Sequence, residues 1–411
     1  MDQSTHTDLL QEIFGRPGTG PLAGVVVADL SRVLAGPYCT MLLADMGATV
    51  IKVESTAGDD ARAWVPPQRD GESTFFLSVN RNKYSIALDF DDPGDLGLVE
   101  QIVARADILV ENFKPGGLAR WGLDYDSVSA WRPDLVYASI TGFGTDGGAQ
   151  LPGYDLLAQA LSGMMSLTGS QHGEPYRAGV ALFDVITGLH AAVGVLGAHH
   201  ERRASGLGQH VELNLLSSAL SGLVNQTAAF VAGGTVPTRM GNEHPSLYPY
   251  EPFPARNKEL VIAVGNNAQF ARLCTCLGAP ELAADERFAT VAARNANRAQ
   301  LRELMVERLA ARDAEDWFER LMAVKVPCAP ILGVDEGVRF AADLGLEPVA
   351  VAGTGERRIP TVRHPASFSR TPVDYGQAPP ALDGDRERVL AWLAAGRPIG
   401  AVAGAAVREA S

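Results

Sequence analysis

The chain has 411 residues, 46% of them hydrophobic, enough to bury a large core that divides into two domains. Its formal net charge of −13 argues against a general nucleic-acid binder, although a local basic pocket is compatible with it. No apolar run approaches the roughly 18 residues of a membrane span, and residues 1–20 are polar, without the basic stretch and apolar block of a secretory signal.

The four cysteines, Cys39, Cys274, Cys276 and Cys328, are scattered, and Cys274-Thr275-Cys276 has no second pair to complete a zinc site. Free thiols in a reducing cytosol, with no metal, are expected. Residues 24–30 predict a buried strand. Ala35-Gly36-Pro37 opens a helical stretch over 38–46, Gly47 stops it, and 48–54 is a second strand. Strand, helix and strand make a βαβ unit and hence a parallel sheet. The pattern recurs, with a helix over 98–105, a strand over 107–110 opening into Glu111-Asn112-Phe113-Lys114-Pro115-Gly116-Gly117, and a strand over 135–140 ending at Thr141-Gly142-Phe143-Gly144. Ligands of open α/β sheets sit outside the carboxyl ends of the strands, so these loops form the expected binding rim. There is no G-x-G-x-x-G after the first strand and no Walker A motif, so neither a dinucleotide nor a nucleoside triphosphate site is signalled.

Residues 178–183 are apolar without helical spacing and predict a buried extended segment; from Val185 to about Arg202 the composition predicts a buried helix with Gly206 beyond its basic end. Asp184 falls at the junction, at or next to the N-cap. Aspartate is a preferred cap, worth about 1 kcal/mol over alanine. A carboxylate there has a second use, because the helix dipole would keep it ionised for nucleophilic attack. Beyond it, 208–215 predicts a strand, 216–232 a helix and 235–254 a linker or ordered crossing loop. Residues 259–264 predict the strand of a smaller unit, with helices over 269–277 and 299–323.

Several motifs in this order carry a resemblance. Val33-Leu34-Ala35-Gly36-Pro37, Gly47-Ala48-Thr49-Val50-Ile51-Lys52-Val53-Glu54, Asn80-Arg81-Asn82-Lys83-Tyr84-Ser85-Ile86, Glu111-Asn112-Phe113 with Pro115-Gly116, and Gly206-Leu207-Gly208-Gln209 together resemble the class III CoA-transferases, over about residues 21–379. The resemblance implies a Rossmann-like large α/β domain with a parallel sheet built from both chain ends, a smaller α/β middle domain, and a homodimer of interlocked rings. The corresponding divisions are an N-terminal extension (1–20), the first part of the large domain (21–225), a linker (226–255), the small domain (256–335), a linker and return to the large domain (336–395), and a tail (396–411).

The resemblance also assigns roles. Asp184 matches the family's nucleophile, which forms an aspartyl anhydride and then an aspartyl-CoA thioester. Gly265 with Asn266 resembles the glycine-rich lid that would supply oxyanion donors. Val33, Asn112 and Phe113 would line the CoA channel, Arg120 would meet the nucleotide end, and Arg62 and Lys83 are candidates for phosphate contacts. Leu34 stands where formyl-CoA enzymes have a catalytic glutamine, and Ser55 where they have a CoA-contacting arginine, so the preferred acid is expected to differ. The racemases of this fold carry a Gly-His-Asp motif; here Gly153-Tyr154-Asp155 lacks the histidine, which disfavours racemisation, and Asp155 is expected to be a structural partner. Tyr154 is a candidate substrate contact. Residues 240–246 with Pro249-Tyr250 look closest to the dicarboxylate branch, where Arg239, His244 or Arg177 would meet a distal carboxylate. The expected activity is CoA transfer between succinyl-CoA and a short dicarboxylic acid in the cytoplasm. The alternatives are an acyl-CoA racemase and a non-catalytic acyl-CoA-binding protein; neither nucleic acid nor membrane is an expected partner.

Overall fold

Five buried, mainly apolar runs and one half-exposed edge strand form one parallel sheet: β1 (Val26–Asp29), β2 (Thr49–Glu54), β3 (Lys83–Ala87), β4 (Ile108–Glu111), β5 (Val136–Thr141) and, at the edge, β6 (His210–Asn214). The computed structural model describes residues 3–15 and 19–395, and the tail expected at 396–411 lies outside them. Strand order is β3-β2-β1-β4-β5-β6, a doubly wound sheet whose order reverses between β1 and β4.

Burial on both faces explains why β1 to β5 read as largely continuous apolar runs rather than alternating ones, whereas the half-exposed β6 alternates. Register sets Val50, Val27, Ile108 and Val136 in one row across the sheet, while Tyr84, Ile51, Ala28, Leu109 and Tyr137 form a row facing the other way. The second row packs with Leu10 and Phe14 of α1 (Gln3–Phe14). The first packs on Leu42 and Leu43 of α2 (Ala35–Asp45). Ile102 and Val103 of α3 (Pro93–Arg105) and Trp392 of the helix Arg386–Ala395 also cover the α1 side.

The helices Gln3–Phe14 and Arg386–Ala395, first and last of the described residues, therefore meet on one face. The segment expected as an N-terminal extension contributes core residues instead: Tyr84 Oη donates to the Phe14 carbonyl at 2.8 Å, and the Phe14 and Trp392 rings lie 6.3 Å apart. The C-terminal segment also covers the exposed edge of β3. Asp385 accepts from the Ser85 N–H at 3.1 Å and Asp383 from the Ala87 N–H at 2.8 Å, so donors that could recruit another strand are occupied.

On the α2 side, α4 (Asp155–Leu161) precedes the long helix α5 (Leu182–Ser205). Helix α5 is long and apolar enough, by length and composition, to cross a membrane, which the sequence reading did not anticipate. Its stripe of Phe183, Thr187, Gly188, Ala191, Ala192, Val195 and Ala198 is buried in this unit. At Gly188 the approach to α2 is close, since a Cβ there would stand 2.7 Å from the Ala35 carbonyl oxygen. The single helix expected over 216–232 is broken into α6 (Leu215–Gly222) and α7 (Asn225–Val231). Gly222 weakens the helix there, Val224 takes φ 41°, and the Thr227 hydroxyl bonds back to the Leu220 carbonyl across the break at 2.8 Å.

The chain divides into two units, the larger made of Met1–Ser162, Ala178–Gly234 and Glu347–Ser411, the smaller of Gly163–Arg177 and Thr235–Leu346. In the smaller unit β7 (Tyr250–Pro254), β8 (Glu259–Ala263) and β9 (Cys328–Pro330) pair antiparallel in the order β9-β8-β7. Residues 226–255, expected as a linker, thus include α7 and the strand β7, whose Phe253 is a core residue. The helix expected over 299–323 is two, α8 (Arg298–Leu309) and α9 (Ala314–Ala323), because Asp313 turns extended between them. Leu301, Met305, Leu309, Trp317 and Leu321 place both in one core.

One buried ion pair ties β1 to β3. Lys83 Nζ donates to Asp29 at 3.0 Å, and both side chains are 0% exposed. Lys83→Ala leaves that carboxylate buried without this partner and should lower the unfolding free energy by about 3–5 kcal/mol. Urea titration reads this as a lower midpoint at unchanged slope; an unchanged midpoint would contradict it.

Candidate active site

The exit of β1, at the reversal of strand order, is fastened by side chains from neighbouring strands. Asp29 accepts from the Ser31 N–H at 3.0 Å and from the Thr40 hydroxyl at 2.6 Å. Burial alone would raise its pKa, but Lys83 and Lys52 overcome it and hold the carboxyl below its usual range. Lys52, inside β2, donates to the Ser31 carbonyl and to Asp59, both at 2.9 Å. Asn112, just after β4, grips the Arg32 peptide twice, accepting from its N–H at 2.9 Å and donating to its carbonyl at 2.8 Å. Val33 follows with φ 70°, a conformation that costs a β-branched residue about 1–3 kcal/mol. Its N–H donates to both Asp59 oxygens, at 3.1 and 3.2 Å.

Asp184 is the third residue of α5, not its cap. The N-cap, Ala181, has no side-chain oxygen, and Asp155 of α4 takes over: its Oδ1 accepts from the N–H of Phe183 at 2.7 Å and of Asp184 at 3.3 Å. Gln159, one turn along α4, donates to the other Asp155 oxygen at 2.6 Å and accepts from the Ala178 N–H at 2.8 Å. With its cap supplied from another helix, the segment ahead of Asp184 is an exposed turn, Val180 being 54% accessible, and not the buried extended run expected. The structural role expected of Asp155 is the one observed.

Capping by Asp155 leaves the Asp184 carboxylate unengaged: among the described residues no donor is bonded to it. Burial, and then the negative charge of Asp155, push its pKa up to about 7. These opposing effects outweigh the helix dipole, which was expected to keep it fully ionised. Asp184's neighbour Val185 and the helix cap Ala181 pack with Val33 against Leu34, Met41 and Val79. The strained turn and the start of α5 therefore share one apolar cluster.

Asn112, Phe113 and Arg120 gather at the loop after β4. The Phe113 ring lies 6.3 Å from Phe90 and 6.4 Å from Trp121, and the Arg120 guanidinium sits 3.8 Å over Trp121, largely exposed beside Asp91. Arg62 and Lys83 are not available for phosphate. Arg62 forms a fork on Glu54 at 2.7 and 2.8 Å, and Lys83 is sealed among Asp29, the Pro37 carbonyl and Asn80. Burial lowers the Lys83 pKa to about 8 despite Asp29. Tyr154, immediately before Asp155, is 65% exposed.

The smaller unit holds the remaining candidates, all but Arg177 with an internal partner. Arg239 donates to the carbonyls of Ser170 and Gly173, both at 2.9 Å. His244 accepts with Nδ1 from the N–H groups of Ser246 and Leu247 at 3.1 Å, which engages that nitrogen as an acceptor rather than as the donor a distal carboxylate needs. The Gly265 N–H, expected to face an oxyanion, donates to the Gln269 side chain at 2.8 Å, and Asn266 caps the helix Asn267–Cys276 through the Gln269 N–H at 2.9 Å. Arg177 is exposed and has no bonded partner among the described residues.

A cleft of about 340 Å³ in the larger unit opens beside this loop, lined by Glu111, Phe113, Lys114, Tyr125, Ser139 and His210 among others. Ser139 Oγ lies 2.8 Å from His210 Nε2, and burial pushes the Glu111 carboxyl up to about 7 against its bonds to Ser139 and the Phe113 N–H. Sequence reasoning missed this group and also Asp59, Lys52 and Gln159. Two signals were present: charged Lys52 and Glu54 inside an otherwise apolar strand, which must be paired if buried, and Asp155 and Gln159 at i, i+4 on one helix face.

A family model for CoA-transferase family III matches residues 22–386, and the chain belongs to that family; it is a CoA-transferase. Among its relatives, the succinate–glutarate CoA-transferase of Agrobacterium fabrum is 41% identical over 91% of this chain and 96% of its own. The succinyl-CoA:mesaconate CoA-transferase of Haloarcula hispanica is 40% identical over 90% of this chain and 96% of its own. A crystal structure of a CaiB/BaiF family protein from Brucella suis superposes with a TM-score of 0.85 at 40% identity, covering 91% of this chain and all of that one, and shares the α/β fold.

The raised pKa of Asp184 makes a stability prediction. The unfolded carboxyl titrates near 3.8 and the folded one at about 7, so ionisation penalises the folded state fully above 7 and not at all below about 4. Asp184→Asn should therefore raise the melting temperature at pH 8, with the gain vanishing toward pH 4. A gain that is independent of pH would contradict the shift.

Proposed function

We propose that this enzyme moves CoA between succinyl-CoA and a short dicarboxylic acid, with Asp184 as the covalent nucleophile. The observation that carries the proposal is the free, backbone-anchored carboxylate of Asp184 in the first turn of α5, whose raised pKa also makes its anion a stronger nucleophile. The Asp184 oxygen attacks the thioester carbonyl, the C–S bond breaks, and CoA thiolate leaves behind a mixed anhydride. The thiolate then attacks the aspartyl carbonyl and releases succinate, giving an aspartyl-CoA thioester. The acceptor carboxylate attacks that thioester and expels the thiolate, which takes the acceptor acyl group and frees Asp184. No net proton is gained or lost over the cycle.

Asn112, Phe113 and Arg120 supply the CoA-binding part of the proposal, the aromatic group and exposed guanidinium suiting a nucleotide. An oxyanion role for Gly265 requires its bond to Gln269 to open first. For the distal carboxylate, Arg177 is the best-placed of the three candidate cations by chemistry, because Arg239 and His244 already have partners. The names of the relatives from Agrobacterium fabrum and Haloarcula hispanica support dicarboxylates as substrates. Exposed Leu189, Val193, Leu220, Phe230 and Val231 on α5, α6 and α7 support an interlocked homodimer. Free thiols fit a reducing compartment such as the cytoplasm.

Incubation with succinyl-CoA and hydroxylamine, followed by peptide mass spectrometry, should place a hydroxamate on Asp184. An unmodified peptide with CoA still bound would overturn the nucleophile assignment, as would appreciable exchange by Asp184→Asn. Since the carboxylate must be ionised, kcat/KM should fall about tenfold per pH unit below the apparent pKa near 7. In a substrate panel, faster turnover of formate or acetate than of succinate or glutarate would rule out the dicarboxylate assignment. Arg177→Ala should raise KM for dicarboxylates on the order of tenfold while leaving KM for acetate little changed; an equal rise for both would exclude Arg177 as the distal contact.

A further inference from the structure

Every polar backbone contact that fixes residues 31–33 comes from a side chain. Ser31 is held by Asp29 and Lys52, Arg32 by Asn112, and Val33 by Asp59. These side chains come from three neighbouring strand ends, and they converge where the order of the sheet reverses between β1 and β4, the place at which open α/β sheets receive their ligands. The turn they hold is strained, because Val33 carries a branched Cβ at φ 70°.

The Asp59 carboxylate is the centre of this arrangement. Besides the two bonds from Val33, it accepts from the Ala61 N–H and from Lys52 Nζ, each at 2.9 Å. The Asp59 N–H is itself held by Glu54 at 3.0 Å, and Glu54 is fixed by the Arg62 fork. The Lys52 and Asp59 side chains are 0% and 1% exposed. A buried pair of this kind is weak support for stability, since desolvation offsets most of the attraction. Holding one particular backbone conformation is the use that its bonding pattern identifies.

We propose that Asp59, oriented by Lys52, is a positioning residue for CoA binding: with Asn112 it keeps the Arg32-Val33 turn in its left-handed conformation at the mouth of the crevice. The proposal rests on the CoA-binding reading of this edge given above. Arg62 then has an indirect role, steadying Glu54 behind Asp59, which accounts for the guanidinium's position without any phosphate contact.

A cycle between Asp59→Asn and Val33→Gly tests it, with CoA itself as the probe and calorimetry as the readout. Asparagine keeps the size of the side chain but loses the second carboxylate oxygen for Val33 and the charge facing Lys52. Glycine reaches the same φ without the Cβ clash, so the turn no longer depends on the clamp. Asp59→Asn should weaken CoA binding roughly five- to tenfold when Val33 is present and less than about twofold in the Val33→Gly background. An unchanged dissociation constant, or an equal loss in both backgrounds, would overturn the proposal, because a merely structural role of the buried pair would not depend on the residue at 33. Should Asp59→Asn fail to fold, Arg62→Lys keeps the charge beside Glu54 but loses the fork that steadies it behind Asp59, and should show a smaller loss with the same suppression by glycine; its absence would overturn the proposal equally. Calorimetry reads binding without turnover, so the result is independent of whether acyl transfer by Asp184 is observed.

Discussion

Two buried lysines, Lys52 and Lys83, sit inside a largely apolar sheet, and their charges have to be met by Asp29, Asp59 and neighbouring carbonyls. Meeting them fixes how β1, β2 and β3 end relative to one another, because an unpaired charge at this depth is far more costly than any misfit of the loops. The carboxyl edge of the sheet is consequently pinned at the crevice proposed to receive CoA. Burial would lower the Lys52 pKa, but Asp59, Asp29 and Glu54 reverse that and hold it above its usual value. The network is thus charged throughout the neutral range, with Lys83 the member closest to losing its proton.

A different economy governs Asp184, the proposed nucleophile. Here a carboxylate is placed in a first helical turn but relieved of capping, since Asp155 from the adjacent helix satisfies the N–H groups that Asp184 would otherwise attract. Two aspartates near one helix end divide the work: one is bonded, the other is left reactive and, through burial and mutual repulsion, harder to ionise. A lone aspartate could not serve both purposes, because a carboxylate engaged by backbone donors is a weakened base.

Much of the sheet was legible in the sequence. Strands buried on both faces appear as unbroken apolar runs, and glycines at 47 and 116 marked the turns between elements. Asp184 and the loop after β4 were nominated through motif resemblance, while Asp155 was expected to be structural from a missing histidine beside it. What stayed hidden depends on tertiary partners. Lys83 looks like a surface charge until the Pro37 carbonyl and Asn80 are seen around it, and Arg62 looks like a phosphate ligand until Glu54 is found beneath it. The helix break at Asp313 was missed because flanking residues on both sides are good helix formers, that at Val224 because Gly222 was not read as a breaker, and no proline announces either interruption. Gly265 and Asn266, expected as a ligand loop, form a strand-to-helix turn whose polar groups bond to Gln269.

Gln159 has a consequence for how such a protein can diversify. The chain leaves the larger unit after Ser162 and rejoins it at Ala178, and Gln159 bonds the rejoining residue from the last helix before departure. The excursion of Gly163–Arg177 is closed at its base, like a loop tied off with a knot. A change of sequence within the excursion therefore stops at this tie, and the first turn of α5 keeps its place through the Asp155 cap beside it.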